Sequence, residues 1–159
     1  EGGTYTSTRI STKGKKEFTY GKIEIRAKLP SGTGIWPAIW MLGGDFSTIG
    51  WPACGEIDIM EYVGYQPNTV HSTVHTTAGS GGNGNGNSKI LETAEEEFHV
   101  YGLLWTEKEL VFYIIPGQLA KRIKIKQLQH GLTKTLLQLC VQYPQPLLQK
   151  KLGRQIIIP

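Results

Sequence analysis

The sequence predicts an all-β protein, and three observations carry that expectation. From Lys22 to Leu29 the residues alternate without a break: Ile23, Ile25, Ala27 and Leu29 on one side, Lys22, Glu24, Arg26 and Lys28 on the other. Strict period-two alternation marks a half-buried strand, because successive side chains leave a strand on opposite faces. The string Gly55-Glu56-Ile57-Asp58-Ile59-Met60-Glu61-Tyr62 sets acids against apolar residues in the same manner. Finally, 20 glycines and 39% hydrophobic residues suit a turn-rich chain, and 159 residues are enough for one domain with a real core. No stretch is long and apolar enough to span a membrane as a helix.

The first strand, over Lys22–Leu29, turns Ile23, Ile25, Ala27 and Leu29 inward and leaves Arg26 free to reach a groove or to serve as a surface charge. Trp36, Trp40 and Trp51 lie beside Gly and Pro, at loops or strand ends. Ile39-Trp40-Met41-Leu42 is a continuous apolar run, so Trp40 is expected in the core.

The acidic strand carries the most information. Glu56 and Asp58 share a face, with Ile57 and Ile59 on the other. Plain alternation would put Glu61, five residues after Glu56, among the aliphatic side chains, where an unpaired carboxylate is costly. One extra residue near Ile59 or Met60, a β-bulge, returns Glu61 to the acidic face. The two outer carboxyls could then approach the ~5–5.5 Å typical of retaining glycosidases. Coupled carboxylates push their pKa values apart, so one can act as acid and another as base. The alternative is a solvated acidic strand face.

His71 and His75, four apart, share a strand face. No third ligand stands out and the two-His zinc motif needs a helix, so no metal is expected there; His75 is expected as a neutral group bonded near the acids. The run Gly79-Ser80-Gly81-Gly82-Asn83-Gly84-Asn85-Gly86-Asn87 reads as a flexible loop, either cleft rim or plain surface. It lacks the Gly-Lys-Ser/Thr ending of a phosphate cradle. Glu95-Glu96-Glu97 is expected as a solvated turn before a strand at Phe98.

The acidic string and its flanks, Trp51-Pro52-Ala53-Cys54 and Tyr62-Val63-Gly64, resemble the signature of glycoside hydrolase family 16. The extra residue before the second Glu is similar to the laminarinase branch. Tyr5–Ile10, Tyr20–Pro30, Gly34–Leu42, Pro67–His75 and Phe98–Tyr101 are similar to that family too, so the resemblance runs from about Tyr5 to about Tyr113. It implies a jelly-roll β-sandwich of two antiparallel sheets, incomplete here, and a retaining endo-β-glucanase acting on β-1,3 or mixed β-1,3/1,4 glucan. By position, Glu56 matches the nucleophile, Asp58 the assisting acid and Glu61 the acid/base. Trp36 and Trp51 match sugar-stacking positions, and a flat indole suits the apolar face of a sugar ring. Arg26 and His75 match polar groups near the cleft. Leu104 stands where a Glu is usual. The resemblance further implies a monomer, extracellular or periplasmic, with a polysaccharide substrate, no nucleic-acid or membrane partner and no cofactor. A structural calcium occurs in the family, but its usual ligands lie toward the ends, which are missing or altered here. Relatives with the same motif act on other polysaccharides. A catalytically weak glucan-binding module is the rival reading; the retention of all three acids favours the enzyme. The N-terminal end is expected to be cut, since the family carries further strands before it.

The chain changes character near Ile115. Through Glu109 it carries nine Lys and Arg against thirteen Asp and Glu, a net of −4; from Leu110 onward it carries eight Lys and Arg, no acid, and +8. The overall +4 therefore sums two unlike halves and does not signal nucleic-acid affinity. Residues 1–117 are expected as the partial hydrolase sandwich and 118–159 as a basic tail rich in Gln and Leu. In the tail, Leu132–Leu139 and Leu147–Leu152 read as short helices broken by Pro144 and Pro146. Those helices belong to the rival reading, a genuine basic segment; the leading expectation is that the tail is frame-slipped, since a one-nucleotide shift lets the codons of Leu152–Gln155 read Trp-Gly-Gly-Lys. Cys54 and Cys140 make no disulfide framework, and Cys54 is expected as a small buried residue.

Overall fold

The computed structural model describes residues 6–115, 121–124 and 137–145. Ten strands account for most of them: β1 (Thr6–Ser11), β2 (Gly21–Ala27), β3 (Ala38–Gly43), β4 (Glu56–Tyr62), β5 (Thr69–His75), β6 (Asn85–Ile90), β7 (His99–Trp105), β8 (Glu109–Ile115), β9 (Lys121–Lys124) and β10 (Leu137–Gln145). One short helix, α1 (Phe46–Ile49), follows β3. All pairings are antiparallel, in a six-stranded sheet ordered β1-β10-β3-β4-β5-β6 and a four-stranded sheet ordered β2-β7-β8-β9. The all-β, two-sheet expectation is met.

Alternation decides how the sheets meet. β2 buries Ile23, Ile25 and Ala27, and Leu29 just beyond it, while Lys22 and Arg26 stay exposed. From the other sheet, Ile39 and Met41 of β3, Ile57 of β4 and Val70 and Val74 of β5 join the same apolar layer, with Leu103, Leu110 and Phe112 of β7 and β8. Burial of this layer is the main force holding the sandwich closed.

Several expectations change. Trp40 is only half-buried, between the buried Ile39 and Met41, so it is not a core residue. A continuous apolar run hides which face each residue takes, and here the alternation continues beneath it. The glycine-rich run is a loop only in part, because Asn85–Asn87 already belong to β6. Glu95 is not a solvated turn charge: the Tyr62 hydroxyl donates to it from the core edge. The helix expected over Leu132–Leu139 is strand at Leu137–Leu139, the start of β10, which lies between β1 and β3. The second expected tail helix, Leu147–Leu152, lies outside the described residues.

Candidate active site

The face of β4 turned away from the core holds the acids. Against β3, Met60 stands opposite Ile39 and Asp58 opposite Trp40, which leaves Ile59 as the extra residue. Against β5, Asp58 pairs with Thr73 and Glu61 with His71, and the register shifts between them. Both Ile59 and Met60 are buried in the core. The expected bulge is therefore present, and it brings Glu56, Asp58 and Glu61 onto one face. Those three line a common depression with Trp36 and Trp40. A larger cleft of about 540 Å³ continues from Glu56 and Trp40 past Trp51, Leu42 and Phe46 to Arg9.

Two tryptophans bracket the acids. Trp36 is 56% exposed and its indole N–H donates to Glu61 Oε1 at 3.0 Å. Trp51 is 45% exposed, and its indole lies near enough to Glu56 to pull that carboxyl down. Both indoles are thus open to solvent beside the acids, and Trp36 anchors Glu61 by its N–H. Trp51 rides on the turn after α1, which can lie against β3 only because residue 43 is glycine: a Cβ at Gly43 would sit 2.1 Å from the carbonyl oxygen of Cys54. Cys54 is fully buried there, as expected, and its thiol is free.

Asp58 is 2% exposed. His75 Nε2 lies 3.1 Å from its Oδ2, though not aligned as a good hydrogen bond. The His75 ring also packs 5.8 Å from that of Trp51. The Glu56 and Asp58 carboxyls lie close enough for each to shift the other's protonation. Burial, then the Asp58 charge, raises Glu56 to about 7. Burial raises Asp58 and Glu61 as well, while the bond from Trp36 pulls Glu61 back down. The adjacent Asp58 raises the His75 imidazole. Such divergent environments let neighbouring carboxyls take opposite protonation states.

Of the residues expected from the sequence, Glu56, Asp58, Glu61, Trp36, Trp51 and His75 come together. Arg26 does not. It lies on β2, in the other sheet, facing away from the core with its guanidinium 4.2 Å from the Phe98 ring centre. Leu104 also lies on that sheet, exposed and opposite Lys22, so the missing Glu is not a cleft contact. Trp40 is the addition. It sits directly across from Asp58, with the Arg9 guanidinium 5.0 Å from its ring, and the apolar run around it gave no signal of its face. His71, opposite Glu61, is tied to Gln66 at 3.0 Å. Ligand atoms of Glu56, Asp58 and His75 lie within 4.8 Å of one another. A buried imidazole with two carboxyls is not the all-oxygen shell that calcium takes, so this cluster gives no calcium site.

The comparisons agree with this geometry. A "Beta-glucanase" of Rhodothermus marinus is 52% identical over 119 residues, covering 72% of this chain and 41% of that protein. The laminarinase from Flavobacterium sp. UMI-01 superposes with a TM-score of 0.81 at 43% identity, covering 89% of this chain and 62% of that one. The laminarinase catalytic domain from Thermotoga maritima gives 0.79 at 41% identity, over 86% and 57%. The chain thus spans about two fifths of the first relative and about three fifths of the two solved structures. The two-sheet architecture is the jelly roll of these neighbours. The profile of glycosyl hydrolases family 16 matches residues 3–144, well past Tyr113 and through β9 to all but the last residue of β10. With three carboxylates bulged onto one sheet face between two open indoles, and with that match along most of its length, the chain belongs to glycosyl hydrolases family 16.

Proposed function

We propose that this chain carries the catalytic strand of a retaining endo-β-glucanase acting on β-1,3 or mixed β-1,3/1,4 glucan. The observation that carries the proposal is the bulge at Ile59–Met60, which sets Glu56 and Glu61 on one face with Asp58 between them. Glu61 gives its proton to the glycosidic oxygen while a Glu56 oxygen bonds to the anomeric carbon, and the bond to the leaving sugar breaks. Water then loses a proton to Glu61, its oxygen bonds to the same carbon, and the bond to Glu56 breaks. Burial raises Glu61, which favours its acid form. Glu56 must be ionised to attack, and the indole of Trp51 favours that form. Asp58, when it carries a proton, can donate to the ionised Glu56, and His75 Nε2 lies 3.1 Å from its other side. Trp36 and Trp51 stack on sugar rings either side of the scissile bond, with Trp40 as floor.

We assign the same protein an extracellular or periplasmic place and a monomeric state, as suits an enzyme whose polymeric substrate lies outside the cell and whose cleft draws on one chain. The test is release of reducing ends from laminarin and from barley glucan. Glu56→Gln should lower the rate at least about 1,000-fold, the scale of losing a nucleophile. Binding of glucan with no hydrolysis by the parent chain would favour a binding module instead.

A further inference from the structure

The glycine-rich run between β5 and β6 is not used by the proposed mechanism, yet one of its residues touches the site. We propose that Gly84 is a positioning residue: its bare backbone is the wall that holds the His75 imidazole against Asp58. The inference rests on the hydrolase reading of β4. A Cβ built at Gly84 would lie 2.6 Å from His75 Cε1, 2.7 Å from Nδ1 and 2.7 Å from Thr73 Cγ2. All are inside van der Waals contact, so the backbone here packs directly on the ring. The backbone itself does not call for glycine. Its φ of −58° and ψ of 149° are open to any residue, so the demand is for space alone.

His75 Nδ1 is buried without a hydrogen-bond partner. The ring is otherwise set by the Nε2 contact to Asp58 at 3.1 Å and by the tilted Trp51 ring. The charged groups facing it are Asp58, Glu56 and Glu61, all from β4, and Thr73, Trp51 and Gly84 bring no charge. A side chain at position 84 cannot stand beside the imidazole in its present place, so the ring must turn or shift out of its 3.1 Å contact with Asp58, and its favourable effect on the three acids weakens.

Two neighbouring glycines supply controls. Gly82 has nothing within 4 Å of a built Cβ, so Gly82→Ala should be silent. Gly86 would strike Thr73 Oγ1 at 2.8 Å and the Ser72 carbonyl at 2.9 Å, so Gly86→Ala should disturb the β5–β6 pairing without touching His75. The experiment follows the His75 ring by NMR titration in the full chain and, in parallel, kcat and KM on laminarin against pH. In Gly84→Ala the His75 midpoint should fall, kcat should drop about tenfold with KM little changed, and the acid limb should move to higher pH. Gly86→Ala should lose thermal stability with the His75 midpoint in place. If Gly84→Ala does not fold, Thr73→Ser/Gly84→Ala removes the second clash and leaves the one with His75. A His75 midpoint in Gly84→Ala equal to that in Gly82→Ala overturns the inference and leaves the hydrolase reading intact. A shifted midpoint in a parent chain that never cleaves glucan upholds the wall and sinks the hydrolase reading instead.

Discussion

β2 and β4 look alike in the sequence and behave oppositely in the fold. Each buries one file of aliphatic residues and presents charged residues on the other face. On β2 the charges are answered. Lys22 Nζ lies 2.8 Å from Glu24 Oε1, the Tyr113 hydroxyl donates to Glu24 at 2.9 Å, and Arg26 rests on Phe98. Lys22 and Tyr113 hold the Glu24 carboxyl below its ordinary value. On β4 three like charges crowd together, and burial raises each of them. A strand face with complementary neighbours is made for solubility and register. One with crowded, buried carboxyls that their neighbours only partly offset is held at some expense in stability, as sites of chemistry often are.

The contrast can be broken most severely at the bulge. Met60→Glu/Glu61→Met moves the carboxyl one place back, to a position buried among the core side chains. Glucan cleavage should vanish, and the buried carboxyl should destabilise the chain by about 2 kcal/mol or more, read by denaturant titration. An exchange that keeps activity would show that the acid does not need that face. Trp36→Phe is the next step down. It removes the bond that lowers Glu61, so the acid keeps its proton to higher pH and the alkaline limb of kcat/KM should move upward. The loss at the optimum should be roughly tenfold, about 1.4 kcal/mol.

Stability should expose the same difference without any substrate. Because Glu56 is raised from 4.5 to about 7 in the fold, its favourable contribution is full below pH 4.5 and is lost as the pH rises through about 7. Glutamine does not titrate. Glu56→Gln should thus gain on the parent between those limits, by about 1–2 kcal/mol after allowing for solvent screening, and hold that gap above them. Melting curves at pH 4 and pH 8 that differ equally between the two proteins would contradict the raised value. The smallest effect belongs to β2. Arg26→Ala should leave kcat/KM unchanged and alter stability by about 0.5–1 kcal/mol at most, the scale of an exposed cation on a ring. A tenfold fall in kcat/KM would return Arg26 to the cleft.

Much of this was legible from residue order. The alternation from Lys22 to Leu29 set the buried file of β2, and the five-residue gap between Glu56 and Glu61 demanded the bulge, because the alternatives were a buried charge or a broken strand. Other residues were misplaced for identifiable reasons. Trp40 was hidden in an apolar run that offers no polar partner to mark its face. Glu95 reads as one of three solvated acids until Tyr62 arrives from a strand 33 residues away. Gly84 reads as a spacer until His75 is placed beside it.

By itself, then, the sequence determined which residues of each strand point together, since a period of two is a property of the local backbone. Only the tertiary structure decided which of two outward faces a residue occupies. A sandwich has two such faces with the same local pattern, one over the cleft and one over the opposite sheet, and no local rule tells Arg26 from Trp40. That choice is made by which strands pair, through contacts between residues far apart in the chain.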